Sequence, residues 1–452
     1  FPSPSSLIMG LSMLNNLNDQ NLPSSTNSAL ASFGGVTAFK KSRLGTIVKL
    51  CSTVDSKEKN LALEKAREYR KRNIKLKDRA GEILYIPNQK KQAPVCSCGK
   101  CRIDGSAPVG VDYNQKTGMA SYTNLQYCGS VWVCPDCSYK ISQERKKELA
   151  EAMKGCVDKG LHVAMLTLTV PHYLGDDLRA LLKKMSKAKH SLWSNRNSRE
   201  YIADQFPMIG HITATEVKYS DSNGFHPHYH ILCFLDKQYQ KEDLEIIENE
   251  LYEFWAEKCV KAGLGKPNRR NGIDLKMGSN NADTLADYIA KWGIAEEMTQ
   301  AHLKIGKNNL QSLTMWEVLE LAQMEASTTD KYSHIFKTYA VAFKGRKQLH
   351  WSKGLKKLLE CPVKDDEEIA NTNTEEDPTE VVHALFLSPQ DFWAICYHKK
   401  RAEFLELVES DFAKNGIQTD LKSVRDFLIR LKNARRFSGG QGGNLPLCER
   451  TI

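Results

Sequence analysis

Five residues near the middle of the chain, His226-Pro227-His228-Tyr229-His230, lead without a break into the apolar run Ile231-Leu232-Cys233-Phe234-Leu235. Such a run, after a proline that marks its start, reads as a strand buried in a sheet. Side chains on a strand alternate between faces, so His226, His228 and His230 share one face and Tyr229 packs from the other. A row of imidazoles beside a buried strand is costly unless something binds them, and a divalent metal ion is the natural ligand. The chain is therefore expected to build a sheet with a metal-binding patch on one face.

A third ligand should come from the neighbouring strand. Residues 209–219 and 225–235 read as a hairpin around Ser222-Asn223-Gly224, and Glu216 is the obvious carboxylate. Register decides whether it serves. A two-residue Asn223-Gly224 turn pairs 217 with 230 and sends Glu216 to the wrong face, whereas a three- or five-residue loop brings it back. Glu216 is the expected ligand, with His226 as its substitute. An N,N,O set with open positions suits Mg²⁺ or Mn²⁺ and leaves room for phosphate oxygens.

The elements around the hairpin follow a regular pattern. Residues 161–170 read as a buried strand, and 177–193 as a helix with Leu178, Leu181, Leu182, Met185 and Leu192 on one side. Residues 243–262 form a helix closed by Gly263, and Ile273, Leu275 and Met277 alternate as a short strand. A further helix carries Tyr288 and Lys291. The fold class is α+β, an antiparallel sheet in βαββαβ (ferredoxin-like, or palm) order with helices on one face and the histidines on the open one.

Cysteine usage gives a second, separate signal. Of 13 cysteines, six fall between Cys96 and Cys137. Cys98-Gly-Lys-Cys101 and Cys134-Pro-Asp-Cys137 are paired CxxC units, with Cys96 and Cys128 as spare candidates, so the sequence leaves open which four act. Four thiolates hold Zn²⁺ tetrahedrally with no open position, a structural site. Clustered spacing and an odd total argue for metal binding in a reducing, cytoplasmic compartment rather than for disulfides. The chain opens on Phe1, as a fragment or an upstream start would, and Leu7-Ile8-Met9 lacks the basic residues of a secretion signal. No run is long enough to span a membrane.

Around these cores the chain divides as follows. Residues 1–53, rich in Ser, Asn and Gly, are expected to be disordered. Residues 54–94 hold a basic helix stopped by Gly81, and 95–160 the zinc module and a helix over 141–159. The sheet domain covers 161–300. A basic extension at 301–361 interleaves Lys344, Arg346, Lys347 and Lys353 with Trp351, a pattern suited to DNA phosphates. An acidic linker spans 362–380, a helical C-terminal domain 381–436 and a flexible tail 437–452. The formal charge of +10 favours a polyanionic partner.

Tyr288 and Lys291, three apart on one helix face, complete the pattern. A phenol ionises near pH 10, so Lys291, a metal or a base must activate it. Metal-bound histidines with a helix-borne tyrosine are the means of cutting a DNA strand through a phosphotyrosine.

With those residues in view, the chain resembles the rolling-circle replication initiator (Rep) proteins of bacterial plasmids, within the HUH endonuclease superfamily. The likeness rests on Cys128-Gly-Ser-Val-Trp-Val-Cys134-Pro-Asp-Cys137, Leu166-Thr-Leu-Thr-Val-Pro-His172, Ala214-Thr-Glu-Val217, Gly224-Phe-His-Pro-His-Tyr-His230, Tyr288-Ile-Ala-Lys291 and Leu349-His-Trp-Ser-Lys-Gly-Leu355. It implies a nickase acting on single-stranded or hairpin DNA at a plasmid origin, with Tyr288 as nucleophile, His228 and His230 as metal ligands and Lys291 at the phosphate. Host helicase and DNA polymerase would extend the 3′-OH. Some relatives carry a glutamate four residues before the tyrosine; here that position is Thr284, flanked by Asp283 and Asp287. Two other readings share parts of the pattern: a single-strand DNA transposase or relaxase-like enzyme of the same class, and a non-catalytic zinc-dependent DNA-binding repressor.

Overall fold

The computed structural model describes residues 56–278, 312–362, 364–372, 378–416 and 419–437. In chain order these form α1 (Ser56–Leu84), the hairpin β1 (Val109–Asn114) and β2 (Met119–Thr123), α2 (Pro135–Asp158), β3 (His162–Thr169), α3 (Leu178–Ser194), α4 (Arg196–Gln205), β4 (Met208–Ser220), β5 (Gly224–Leu235), α5 (Lys241–Lys261) and β6 (Ile273–Met277). After a gap in the described residues come α6 (Met315–Gln323), α7 (Lys331–Phe343), β7 (Leu349–Trp351), β8 (Val381–Leu387), α8 (Pro389–Tyr397), α9 (Arg401–Asn415) and α10 (Lys422–Phe437).

A five-stranded antiparallel sheet in the order β6-β3-β5-β4-β7 forms the centre. β5 lies in its middle, and Ile231 through Leu235 are all fully buried because both faces are covered. One face packs Leu166, Leu168, Tyr229, Ile231 and Cys233 against α3 and α5. The histidine-bearing face is not open along its length, as the sequence suggested. Leu149, Ala152, Met153 and Cys156 of α2 cover its far half, on Val163, Met165, Leu232 and Phe234. Among the described residues, α2 does not extend over the end that carries Glu216, His228 and His230.

Several sequence expectations change in detail. α1 does not stop at Gly81 but continues to Leu84. The glycine serves close packing: a Cβ there would sit 3.4 Å from the Cys96 Cα. α2 starts at Pro135, inside the second CxxC, six residues before the periodic apolar pattern. α4 was not anticipated, since only Ser198 and Ile202 of its ten residues are buried.

The C-terminal unit differs most. Residues 381–436 were expected to be helical, yet the segment opens with the strand β8, paired antiparallel to β1 through Val111↔Leu385 and Asp112↔His383. The β1–β2 hairpin and the C-terminal helices therefore share a three-stranded sheet and a core of Val109, Val111, Leu387, Phe404, Val408 and Val424. α1 ties the two units together. Glu409 of α9, with a fully buried carboxylate, accepts from Arg67 Nε and Arg70 Nη1 at 2.6 Å each and from Ala120 N at 2.8 Å. Arg401 reaches Asp78 at 2.5 Å, and Lys100 reaches the same carboxylate at 3.1 Å. Burial alone would raise the Asp78 carboxyl, but Arg401 and Lys100 outweigh it and hold it below the usual range.

Removing the Glu409 charge leaves two guanidinium groups packed around an uncharged amide. Glu409→Gln is expected to destabilise the chain by about 3 kcal/mol, read as a lower urea midpoint. Arg196→Ala, which breaks only the exposed Arg196–Glu200 pair, should leave that midpoint nearly unchanged.

Candidate metal centre

The hairpin register is what assembles the central site. β4 and β5 pair from Ser220↔Gly224 outward, with a three-residue loop at Asp221-Ser222-Asn223 and Gly224 at φ +74°. That loop places Glu216 directly opposite His228. Side chains directly opposite on an antiparallel pair lie on the same face, about 5 Å apart at Cβ. His230 follows one pleat later on β5.

The three side chains converge on one point. Glu216 Oε2 lies 2.8 Å from His228 Nε2 and 3.1 Å from His230 Nε2, and all three residues are buried. Adjacent ligands on an octahedral ion with bonds of about 2.1 Å stand about 3.0 Å apart, so the donor atoms are already spaced for one. Burial would raise the Glu216 carboxyl, but hydrogen bonds from His228 and His230 and the charge of Lys218 outweigh it and hold it ionised far below its usual range. Lys218 Nζ sits 3.3 Å from the other carboxylate oxygen. Thr167 Oγ1, across the β3–β5 ladder, lies 3.5 Å from His230 Nδ1. Such a partner on the second ring nitrogen orients a ligating imidazole. His228 Nδ1 is buried with no partner among the described residues.

His226, the substitute ligand, is on the same face but outside this group. Its ring stacks on His172 at 4.4 Å, and burial with the charges of its neighbours pushes it down to about 4. His172, Thr167 and Lys218 were not singled out as site residues. Alternation along β4 and β3 would have put Lys218 and Thr167 beside the ligands. Tyr288 and Lys291, with Asp283, Thr284 and Asp287, lie outside the described residues.

The second group is made of sulfur. Cys98, Cys128, Cys134 and Cys137 have their thiols within 4.8 Å of one another. Cys98 Sγ is 3.5 Å from Cys134 Sγ and 3.7 Å from Cys137 Sγ, and Cys128 Sγ is 3.7 Å from Cys137 Sγ. These are too long for disulfides. They match a tetrahedral ion with metal–sulfur bonds of about 2.3 Å, whose sulfurs stand about 3.8 Å apart. Cys134 is the N-cap of α2 and Cys137 lies in its first turn, where the helix dipole favours thiolate. Hydrogen bonds from Cys128, Cys134 and Cys137 hold the Cys98 thiol well below its usual value. Burial pushes Cys134 up, while Cys128 and Cys137 rise because they share hydrogens within the group.

Cys101 is not one of the four, although it belongs to a CxxC. Gly99 N donates to Gln126 O and Gln126 N to Cys101 O, both at 2.8 Å, so the chain after Cys98 runs alongside residues 125–126. That ladder carries Cys101 away and delivers Cys128 in its place. Cys96 also lies outside the group and donates to Gly81 O at 3.3 Å.

Of the basic extension, Lys344, Lys347 and Lys353 are exposed. The Arg346 guanidinium lies 5.9 Å from the Phe343 ring centre. Trp351 is half-buried at the end of β7, packed against the sheet core with the Lys356 amine 5.0 Å over its ring. No helix among the described residues is long and apolar enough to cross a membrane.

The family model described as "Replication protein" matches residues 121–388, more than half of the chain. The chain belongs to that family. The matched stretch takes in the whole central sheet, Glu216, His228 and His230, and three of the four clustered cysteines, with Cys98 just upstream. Among curated proteins, "Protein rep" of Streptomyces lividans is 23% identical over 300 residues, covering 54% of this chain and 65% of that protein. "Protein rep" of Lentilactobacillus hilgardii is 25% identical over 199 residues, 44% of this chain and 58% of that one. A protein named "Neomycin resistance protein" from Streptomyces cyanogenus is 25% identical over 141 residues, 26% of this chain and 32% of its own length. The chain thus spans less than two-thirds of each of these relatives. No solved structure matches it.

The four-sulfur geometry makes a sharp distinction between cysteines. Cys98→Ser, Cys128→Ser, Cys134→Ser and Cys137→Ser should each lose about one thiolate-bound metal ion per chain, measured by elemental analysis of the purified protein. Cys101→Ser and Cys96→Ser should keep it. Metal retention in Cys128→Ser with loss in Cys101→Ser would reverse the ligand assignment.

Proposed function

We propose that this replication protein initiates plasmid rolling-circle replication as an HUH-class nickase, cutting one strand at the origin through Tyr288. The observation that carries the reading is the convergence of Glu216 Oε2 on His228 Nε2 and His230 Nε2. Two imidazoles and one carboxylate on a single sheet face make a donor set for a hard divalent ion that still has room for phosphate oxygens. Family membership supplies the replication context. The four-cysteine group is read as structural Zn²⁺, because four thiolates leave no position for substrate.

In this mechanism the strand to be cut enters as single-stranded or hairpin DNA, since a tyrosine needs a flexible backbone to approach in line. Glu216, His228 and His230 would hold Mg²⁺ or Mn²⁺, which supplies Lewis-acid charge to the scissile phosphate. Tyr288 gives up its phenolic proton and its oxygen attacks phosphorus. A new P–O bond to tyrosine forms as the P–O3′ bond breaks, and the departing 3′-oxygen takes up a proton. The products are a 5′-phosphotyrosyl link and a free 3′-OH. One phosphate ester replaces another, so rejoining needs no ATP. Lys291 stabilises charge on the phosphoryl oxygens, and Lys344, Arg346, Lys347 and Lys353 grip flanking phosphates. The 3′-OH then primes a host polymerase behind a host helicase.

The test is divalent-dependent nicking of a supercoiled origin plasmid, with the covalent protein–DNA adduct followed on denaturing gels. Tyr288→Phe should form no adduct, and Lys291→Met should slow nicking about 100-fold. Glu216→Gln should abolish nicking at ordinary Mg²⁺ while leaving the cysteine-bound metal in place. An adduct that persists in Tyr288→Phe would remove Tyr288 as nucleophile.

A further inference from the structure

On the sheet face turned away from Glu216, a second cluster of polar groups has no counter-charge among the described residues. β4 presents His211 and Thr213 on this side, and the pairing Thr213↔His350 brings in a histidine from β7. Lys189 of α3 reaches over them, its Nζ 3.4 Å from Thr213 Oγ1 and 4.8 Å from the centre of the Tyr229 ring. One turn further along α3, Trp193 lies against His211 with ring centres 5.2 Å apart. The Trp193 indole N–H is buried and has no acceptor among the described residues.

Among the described residues, every charge that bears on this cluster is positive. Lys189 makes no ion pair with a carboxylate among the described residues, and burial alone pushes its amine down to about 8. Burial, then Lys189 and His350, push His211 down to about 4. His350 is lowered by burial, Lys189 and Lys347. Buried cations without a partner are costly, and natural structures keep them where a ligand supplies the missing charge. Thr213 is buried, whereas His350 and Lys347 are exposed, so the cluster opens at the β7 edge of the sheet.

We infer that Lys189, His211, Thr213, His350 and Trp193 form an oxyanion site that takes one phosphate group of a nucleic-acid backbone. The groups can all donate: an ammonium, a hydroxyl, two imidazoles and an indole N–H. A phosphate offers several acceptor oxygens and negative charge to satisfy them at once. The backbone, rather than a free anion, is favoured because the mouth adjoins the exposed cations Lys347 and Lys344. This source rests on the DNA-binding part of the proposed function, but not on the tyrosine chemistry. The site is on the opposite face from the candidate metal centre and about 10 Å further along β4, at about 3.3 Å per residue from Glu216 to Thr213. It would hold DNA that wraps the sheet edge, away from the cut.

The test uses the full chain carrying Tyr288→Phe, so that cleavage plays no part. Histidine ring signals are followed by NMR, with His211 and His350 assigned by their glutamine variants. The chain is titrated with inorganic phosphate and, separately, with oligothymidylate lacking any origin sequence. Both His211 and His350 should shift saturably with the oligonucleotide and titrate at higher pH in its presence. Lys189→Met should abolish the response and Lys189→Arg restore it. In anisotropy measurements Lys189→Met should weaken oligothymidylate binding about fivefold and reduce the salt slope by about 0.7, the share of one phosphate contact. A response to inorganic phosphate alone would overturn the backbone assignment. Silence of both histidines towards both ligands would overturn the site itself. Nicking that persists in Tyr288→Phe alongside this response would count against the tyrosine mechanism and leave the inference standing.

Discussion

The register of one hairpin governs the chemistry of the whole molecule. Three residues, Asp221 to Asn223, separate β4 from β5, and this number sets Glu216 against His228. A two-residue turn at Asn223-Gly224 would pair 217 with 230 and turn Glu216 to the face occupied by Tyr229 and Ile231. The error could not be absorbed locally. β5 is hydrogen-bonded on both sides, to β3 and β4, and its inward residues are completely buried, so a slip would expose one apolar row and bury a polar one. The geometry of the candidate metal site is thus enforced by the hydrophobic core rather than by Glu216, His228 and His230 themselves. That is how a carboxylate and two imidazoles can be held at ion-ready spacing despite the cost of desolvating them.

The sulfur group follows a different logic, because its cysteines come from three separate stretches outside the central sheet, so no strand register sets their spacing. Cys98 leaves a single 3-10 turn, Cys128 follows the 125–126 ladder, and Cys134 and Cys137 start α2. Lys77 of α1 then anchors the first turn of α2: burial would lower its ammonium, but Asp136 holds it raised and charged. The neighbouring Asp78 joins Arg401 of α9 to Lys100 inside the first CxxC. One helix therefore connects the sulfur group to the C-terminal unit through two adjacent acid–base contacts. An ion among the four sulfurs would fix the segment that Lys100 belongs to, and with it one side of the docking surface for α9.

How far the sequence could be read depends on whether the determining contact was local. The α3 helix, the α5 helix closed by Gly263 and the strand at Ile273 were legible because each carries its own apolar period. Glu216 was legible as a choice between two registers, and only the folded loop selects one. Which four thiols cluster was not legible, since Cys101 and Cys128 differ in their ladder partners rather than in local pattern. β8 was missed for a similar reason: Val381–Leu387 pairs with β1, some 270 residues earlier, and nothing within the segment announces that partner. The basic, aromatic character of the 301–361 extension was misleading in part. Phe336, Tyr339 and Phe343 are core residues of α7, while Lys337, Lys344 and Lys347 face outward.

The two faces of the sheet are linked by residue 229. Tyr229 stands between the ligands His228 and His230 but points to the other side, where the Lys189 amine lies over its ring. A cation above an aromatic ring is held by the ring's quadrupole, an attraction of about 1 kcal/mol that grows as water is excluded. Burial raises the Tyr229 phenol to about 12, so it stays neutral and cannot serve as a counter-ion for Lys189. The lysine is therefore held by weak contacts, a ring face and one threonine hydroxyl at 3.4 Å, with no carboxylate partner among the described residues. Nothing in the apolar packing of α3 requires a lysine there; a leucine would continue the stripe of Met185, Ala188 and Leu192 and cost less to bury. A cation kept at that expense, behind the strand that carries the metal ligands and open to the edge strand, is understandable when the surface it faces is meant for phosphate.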